Sequence, residues 1–126
     1  MEATLSQRID IFRSMPEIPD SAVDLVTDEL ALIDPEEELT DKQAGMFVSH
    51  AVNALARLLR QEPEADAPSQ AVYAEVLNES PGALNLAHAM ADRVKAATGQ
   101  ELPTAEVQFM TIHFAALQRH LGKDNQ

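Results

Sequence analysis

The chain has no cysteine and no tryptophan, and it is poor in glycine, aromatic residues and basic residues. Without cysteine it can form neither a disulfide nor a thiolate metal site, and packing alone must hold the core together. The four glycines are isolated and form no phosphate-binding loop. Ser, His and acidic residues occur without the strand-turn-helix elbow of a nucleophile. We therefore do not expect an enzyme.

Basic residues are outnumbered, with 9 Lys and Arg against 21 Asp and Glu and a formal net charge of -12. Such a surface repels a phosphate backbone, so we expect no direct contact with nucleic acid. No segment approaches the ~20 apolar residues that span a bilayer, and residues 1–10 contain no cleavable leader. These absences predict a cytoplasmic protein with no membrane partner.

The 126 residues, of which 45% are hydrophobic, suffice for one core. We therefore predict a single domain spanning residues 1–126. Ala, Leu, Glu and Gln are abundant and β-branched runs are few, which predicts an all-α fold. The seven prolines fall where helices are expected to begin or end.

The first two helices are predicted from apolar spacing and capping residues. Thr4 and Gln7 have the spacing of a capping box, which predicts that the first helix begins at Thr4 and ends before the next proline. The second helix is predicted over Asp20–Ile33, with Ser21 or Asp20 as its cap. The acidic run Asp34–Glu38 that follows is expected to be a solvated link.

The third helix has the strongest pattern. Thr40 and Gln43 form a second capping box, and the helix is predicted to run to about Arg60. Apolar residues recur along it at helical intervals, at Phe47, Ala51, Leu55 and Leu58. The segment Gln61–Ser69, with two prolines and three acidic residues, is predicted to connect this helix to the next.

The second half of the chain continues the helical pattern. A fourth helical region contains Ser80-Pro81, a cap followed by a proline suited to a first helical position, which predicts a break there. Gly99 is expected to end the region. The last helix opens at Leu102-Pro103-Thr104, and its apolar face is formed by Met110, Phe114, Leu117 and Leu121.

The chemical candidates are the histidines. None of His50, His88, His113 and His120 pairs at the i, i+4 interval that places two ligands on one helical turn, so we predict no metal and no cofactor. His50 and His113 lie where an apolar face meets a polar one, with Arg57 seven residues after the first and Glu106 seven before the second. The alternative is that all four are structural residues at helix boundaries.

Two segments resemble the PTS regulation domain (PRD) family. Residues 106–114, EVQFMTIHF, are similar to a family signature in which an acid, alternating apolar positions and a Thr or Ala lead to an apolar-His-apolar end. Residues 47–57, FVSHAVNALAR, resemble the other histidine helix, in which an arginine follows the histidine by seven positions. Ser49 stands where the family often has Asp. The resemblance extends over residues 20–121.

The resemblance implies a compact bundle of five helices that forms a homodimer. It also implies that His50 and His113 receive phosphate from the sugar phosphotransferase system, through its histidine carrier protein or an enzyme II component, while Arg57 and Glu106 support the phosphorylated state. Members of the family join this domain to an RNA- or DNA-binding module. We expect neither module in 126 residues, and expect the chain to act by dimerising or by docking on a full-length regulator of sugar-utilisation genes. In the alternative, it is purely a docking module with unphosphorylated histidines.

Overall fold

The structure is a computed structural model that describes residues 1–63 and 66–122. These residues form six α-helices: α1 (Ala3–Ser14), α2 (Asp20–Ile33), α3 (Asp41–Leu59), α4 (Gln70–Glu79), α5 (Gly82–Thr98) and α6 (Thr104–His120). The described residues contain no β-strand, and the fold class is all-α, as the composition predicts. None of the described helices is both long and apolar enough to cross a bilayer.

The predicted number of five helices is wrong, because the fourth helical region is two helices. The Ser80 N–H donates to the Val76 carbonyl at 2.8 Å and closes α4. Pro81 has no N–H to continue the ladder, so the chain turns there. The Ala83 N–H then donates to the Ser80 carbonyl at 3.0 Å as α5 begins. The break expected at Ser80-Pro81 is therefore confirmed and accounts for the sixth helix.

The chain forms two compact units, Met1–Glu62 and Pro63–Gln126. The division falls in the predicted link Gln61–Ser69, of which residues 64 and 65 lie outside the described residues. The described residues of the link, 61–63 and 66–69, have no regular secondary structure. That all 126 residues behave as a single domain stays a prediction.

In the first unit, α1, α2 and α3 pack against one another in pairs. Each buries residues at helical spacing: Leu5, Ile9 and Phe12 on α1; Val23, Val26 and Leu30 on α2; Phe47, Ala51 and Leu55 on α3. The capping box at the start of α3 is confirmed, since the Gln43 side chain accepts a hydrogen bond from the Thr40 N–H at 3.1 Å. This unit carries His50.

The caps predicted for α1 and α2 are wrong. Glu2, rather than Thr4, caps α1, because its carboxylate accepts from the N–H groups of Thr4 and Leu5 at 2.8 and 3.1 Å. The N-cap of α2 is Pro19, which offers no capping side chain. Proline has a fixed φ and no N–H group, so it can stand immediately before a helix. The start of α2 therefore has no hydrogen bond from a capping side chain.

The acidic link between α2 and α3 is only partly solvated. Asp34 is buried, contrary to expectation, and its carboxylate accepts from the N–H groups of Glu38 at 2.8 Å and Leu39 at 2.9 Å. These bonds fold the link back and seat Leu39 in the core. The remaining acidic residues of the run, 36–38, are exposed.

In the second unit, α6 packs against α5 and α4. The stripe Ala83, Ala87, Met90 and Val94 is buried on α5, and Met110, Phe114 and Leu117 are buried on α6. Gly99 ends α5 with a φ of 76°, the left-handed conformation that glycine adopts most readily, so the predicted stop signal is confirmed. This unit carries His113 two turns after the start of α6.

Candidate functional site

His50 lies on α3 at the edge of the helix face that enters the core. Its side chain is half-buried, between the fully buried Phe47 and Ala51 and the outward Met46, which is 80% exposed. Arg57, two turns later on the same side, is also half-buried. Both His50 and Arg57 take part in interactions within the protein. His50 is thus partly exposed and also interacts with the rest of the protein.

An arginine from α1 reaches α3 just before His50. The Arg8 guanidinium donates two hydrogen bonds to the Asp41 carboxylate, from Nε to Oδ1 at 2.6 Å and from Nη2 to Oδ2 at 3.0 Å. Its third contact is from Nη1 to the Ser49 hydroxyl oxygen at 2.8 Å. Bidentate pairing fixes a guanidinium more firmly than a single contact does. Arg8 therefore ties α1 to α3 next to the candidate histidine.

Gly45 gives the guanidinium its place on α3. Asp41, Gly45 and Ser49 follow one another at intervals of four and line one side of the helix. A Cβ atom at Gly45 would lie 2.9 Å from Arg8 Nε and Nη2 and from Asp41 Oδ1. Any larger residue would therefore push Arg8 off the helix surface. Ser49, the last of the three, binds Arg8 through its hydroxyl oxygen.

The charges of this cluster affect each other's ionisation. The hydrogen bonds from Arg8 lower the pKa of Asp41, and Asp41 raises the pKa of Arg8. Backbone N–H groups of Thr4 and Asp41 lower the pKa of Glu2, whose Oε1 accepts from the Asp41 N–H at 2.9 Å. Both carboxylates lie at helix N-termini, where the helix dipole favours negative charge. The cluster is thus fully ionised at neutral pH.

His113 has a different environment on α6. Its side chain is half-buried, and Glu106, two turns earlier on the same helix, is only 2% exposed. His113, Glu106 and the neighbouring Phe109 each take part in interactions within the protein. Ionised carboxylates are buried only with compensating partners. Glu106 is thus a buried acid two turns before the half-buried His113 on the same helix, and its role toward His113 stays a prediction.

The other two histidines are exposed, His88 on α5 and His120 at the end of α6. No group of three or more His, Asp or Glu side chains within 1–63 and 66–122 is placed to hold a metal ion. His50 belongs to the first unit and His113 to the second, with Arg57 in the first and Glu106 in the second. Each candidate histidine thus has one predicted companion on its own helix.

The family model of the PRD domain matches residues 34–117, which is 84 of the 126 residues. The chain therefore belongs to the PRD domain family, a family of regulatory, generally non-catalytic domains of the sugar phosphotransferase system. Searches of curated proteins and of solved structures give no match. The matched segment includes His50, Arg57, Glu106 and His113, and it begins after α1.

Sequence reasoning missed Arg8 altogether. Arg8 pairs with Asp41 across 33 positions and with Ser49 across 41. Periodicity and capping rules report on neighbours along the chain, so they carry no information on such pairs. The one local signal was Gly45, an isolated glycine in the middle of a strong helix pattern, which often marks a close approach.

Proposed function

We propose that this chain is a phosphohistidine-regulated PRD domain, a non-catalytic module that controls sugar-utilisation genes by dimerising or by docking on a full-length regulator. The observation that carries the proposal is that both motif histidines, His50 and His113, lie within the segment that matches the family and that neither is fully buried. Partial exposure of both residues supports their phosphorylation by a docking donor. The donor is the histidine carrier protein or an enzyme II component, which the chain would meet in the cytoplasm.

Phosphoryl transfer requires few chemical features of the acceptor histidine. An unperturbed imidazole has a pKa of about 6.5, so most of the population is uncharged near neutral pH and offers a nitrogen lone pair. That lone pair attacks phosphorus, the N–P bond to the donor imidazole breaks, and a new N–P bond forms. The reaction exchanges one phosphoimidazole for another, so water is not consumed. Exposure and alignment are what the acceptor must supply.

The phosphoryl group changes the local charge. It adds about -1.5 to -2 charges, by analogy with other phosphorylated side chains, to a protein whose net charge is -12. We assign Arg57 as a cation that supports phosphorylated His50, and Arg119, exposed on α6, as its counterpart for His113. Glu106 is assigned to hold the His113 ring from its buried position. Repulsion from other acidic surfaces would then shift docking or dimer geometry.

Labelled phosphoenolpyruvate tests the proposal. The purified chain is incubated with the general phosphotransferase components and each candidate enzyme II, and label is followed in wild type, His50→Ala, His113→Ala and the double variant. We expect label in wild type and none in the double variant. His88→Ala and His120→Ala, which remove exposed histidines, serve as controls and should label normally. Absence of label in wild type, or full label in the double variant, contradicts the proposal.

The alternative is a docking module with structural histidines. It is favoured by the half-burial of His50 and His113 and by their interactions within the protein. In that case the double histidine variant should lose stability while signalling stays intact. Sedimentation of the wild type with and without phosphodonor distinguishes the two functions, because only the first predicts that phosphorylation changes the association state.

A further inference from the structure

We propose that Arg8 binds the phosphoryl group on His50, giving up one of its two attachments to α3 in exchange for a phosphoryl oxygen. This inference rests on the phosphorylation of His50 proposed above. It adds a residue of α1, which lies outside the matched segment 34–117, to the binding of the phosphoryl group.

Arg8 has N–H donors that the structure leaves unused. A guanidinium has five N–H donors in a planar fork. Three of them are used, two by Asp41 and one by Ser49, and the described residues provide no further partner. Two N–H groups are thus available to a ligand with several acceptor oxygens. A phosphoryl group is such a ligand, and guanidinium is the cation that recognises it best.

Arg8 is bound one residue away from His50 along α3. Ser49, which Arg8 contacts, precedes His50 by one residue, a step of about 1.5 Å along the helix and a little over a quarter turn around it. The positions that project between the two are those of Met46 and Asn53, whose side chains are exposed. The surface between Arg8 and His50 is therefore solvent-exposed. Arg8 would reach a phosphoryl group on His50 by moving across this surface, outside the core.

The Arg8–Asp41 pair is accessible to solvent. The Arg8 side chain is 37% exposed and that of Asp41 19%. Both line a groove of about 300 Å³ along α1, so solvent reaches the pair. A phosphoryl oxygen on His50 would compete with the Asp41 carboxylate and the Ser49 hydroxyl for one guanidinium. The neutral hydroxyl of Ser49 is the weaker competitor, so that contact should be given up first.

The test measures how phosphate divides between donor and acceptor at equilibrium. Phosphorylated carrier protein, or whichever donor labels the chain, is freed of phosphoenolpyruvate and mixed with the His113→Ala variant, so that label reports on His50 alone. Arg8→Gln should lower the labelled fraction relative to donor about tenfold, because it removes a hydrogen bond to a charged group. Asp41→Asn should raise it, since it frees Arg8 from its strongest competitor.

The diagnostic result is the size of the Arg8→Gln shift compared with that of a charge-matched control. If the Arg8–Asp41 pair were only a structural tie between helices, Arg8→Gln would shift the labelled fraction no more than removal of an equal charge elsewhere on α1. Arg13→Gln is the matched control, because Arg13 lies on the same helix, is 38% exposed and pairs with Asp24 at 2.8 Å. It removes the same charge at another place, so it reports the long-range effect alone and should change the ratio far less.

The outcomes separate this inference from the proposed function. Label on His50 with an unchanged ratio in Arg8→Gln, or the same shift in Arg13→Gln, overturns the role of Arg8 alone. Label confined to His113 overturns the role of Arg8 and leaves the proposed function standing. No label on either histidine overturns both. Arg8→Lys, which keeps the charge but loses the fork, should fall between wild type and Arg8→Gln if the fork binds phosphate.

Discussion

The two units place similar half-buried histidines in different chemical surroundings. Around α3 the first unit has an ionised cluster, in which Glu2, Arg8 and Asp41 join two helix starts through hydrogen bonds. The second unit has its candidate acid, Glu106, buried on the histidine's own helix, and the ion pair Lys95–Glu101 lies on its surface. The first unit therefore has a partly exposed guanidinium, that of Arg8, bound next to His50, whereas the second has a buried carboxylate, that of Glu106, two turns from His113.

The largest effect should come from the core of the first unit. Phe47→Ala removes a side chain that is 1% exposed, and we expect a loss of about 3–5 kcal/mol in unfolding free energy. Met46→Ala, its exposed neighbour, should change stability by less than about 0.5 kcal/mol. Urea unfolding followed by circular dichroism measures both.

Hydrogen exchange on Phe47→Ala also tests the predicted single domain. If all 126 residues unfold together, amide protection should fall by the same free energy in α3 and in α6. A loss confined to α1, α2 and α3 would show that the units Met1–Glu62 and Pro63–Gln126 unfold independently. That result would contradict the single domain and sharpen the contrast between the units.

A smaller effect is expected from the buried carboxylate of Asp34. Asp34→Ala leaves the N–H groups of Glu38 and Leu39 without their acceptor, and we expect a cost of about 1–3 kcal/mol. Glu36→Ala in the same link is the matched control, because Glu36 is exposed. A loss of stability in Glu36→Ala equal to that of Asp34→Ala would show that the charge of the link matters and the hydrogen bonds do not.

The second unit offers a backbone test at the end of α5. Gly99 has a φ of 76° and nothing within 4 Å of an added Cβ, so Gly99→Ala introduces strain without a clash. We expect a loss of about 1–2 kcal/mol, and a smaller loss for Gly99→Asn, which tolerates this conformation better. Thermal unfolding of both variants measures the difference. Equal stability of Ala and wild type would show that the left-handed cap is dispensable.

Local rules predicted much of this fold from sequence. The capping box of Thr40 and Gln43, the apolar stripe of α3, the break at Ser80-Pro81 and the stop at Gly99 all depend on residues within one or two turns of each other. These signals placed the helices well, because a helix end is decided by its nearest neighbours.

The predictions that are wrong, and the residue that was missed, have a common physical cause. Glu2 became the cap of α1 because its carboxylate also accepts from Asp41 of α3, a contact that capping rules do not contain. Asp34 was taken for a solvated residue because composition cannot show that a carboxylate folds back on its own link. For the site, the sequence predicted His50 and His113 with Arg57 and Glu106 as companions on the same helices, and that assignment stays a prediction. It could not identify Arg8, since that contact exists only once α1 and α3 have packed.

The smallest predicted effect is a pH dependence confined to the first unit's cluster. Arg8 lowers the pKa of Asp41 below its ordinary value of 3.8, so ionised Asp41 stabilises the folded state. That contribution is complete above about pH 4 to 5 and is lost as the pH falls through the lowered folded pKa. Because the pair is partly exposed, we expect at most about 1 kcal/mol. Asp41→Asn should therefore flatten the decline of unfolding free energy below pH 4.

Glu101→Gln, which breaks the surface ion pair of the second unit, is the comparison. Because solvent and salt screen that exposed pair, Glu101→Gln should change the pH dependence of the unfolding free energy less than Asp41→Asn does. If Glu101→Gln flattens the decline as much as Asp41→Asn does, the Arg8–Asp41 pair stabilises the first unit no more than the Lys95–Glu101 pair stabilises the second. The contrast between the charged groups of the two units would then be wrong.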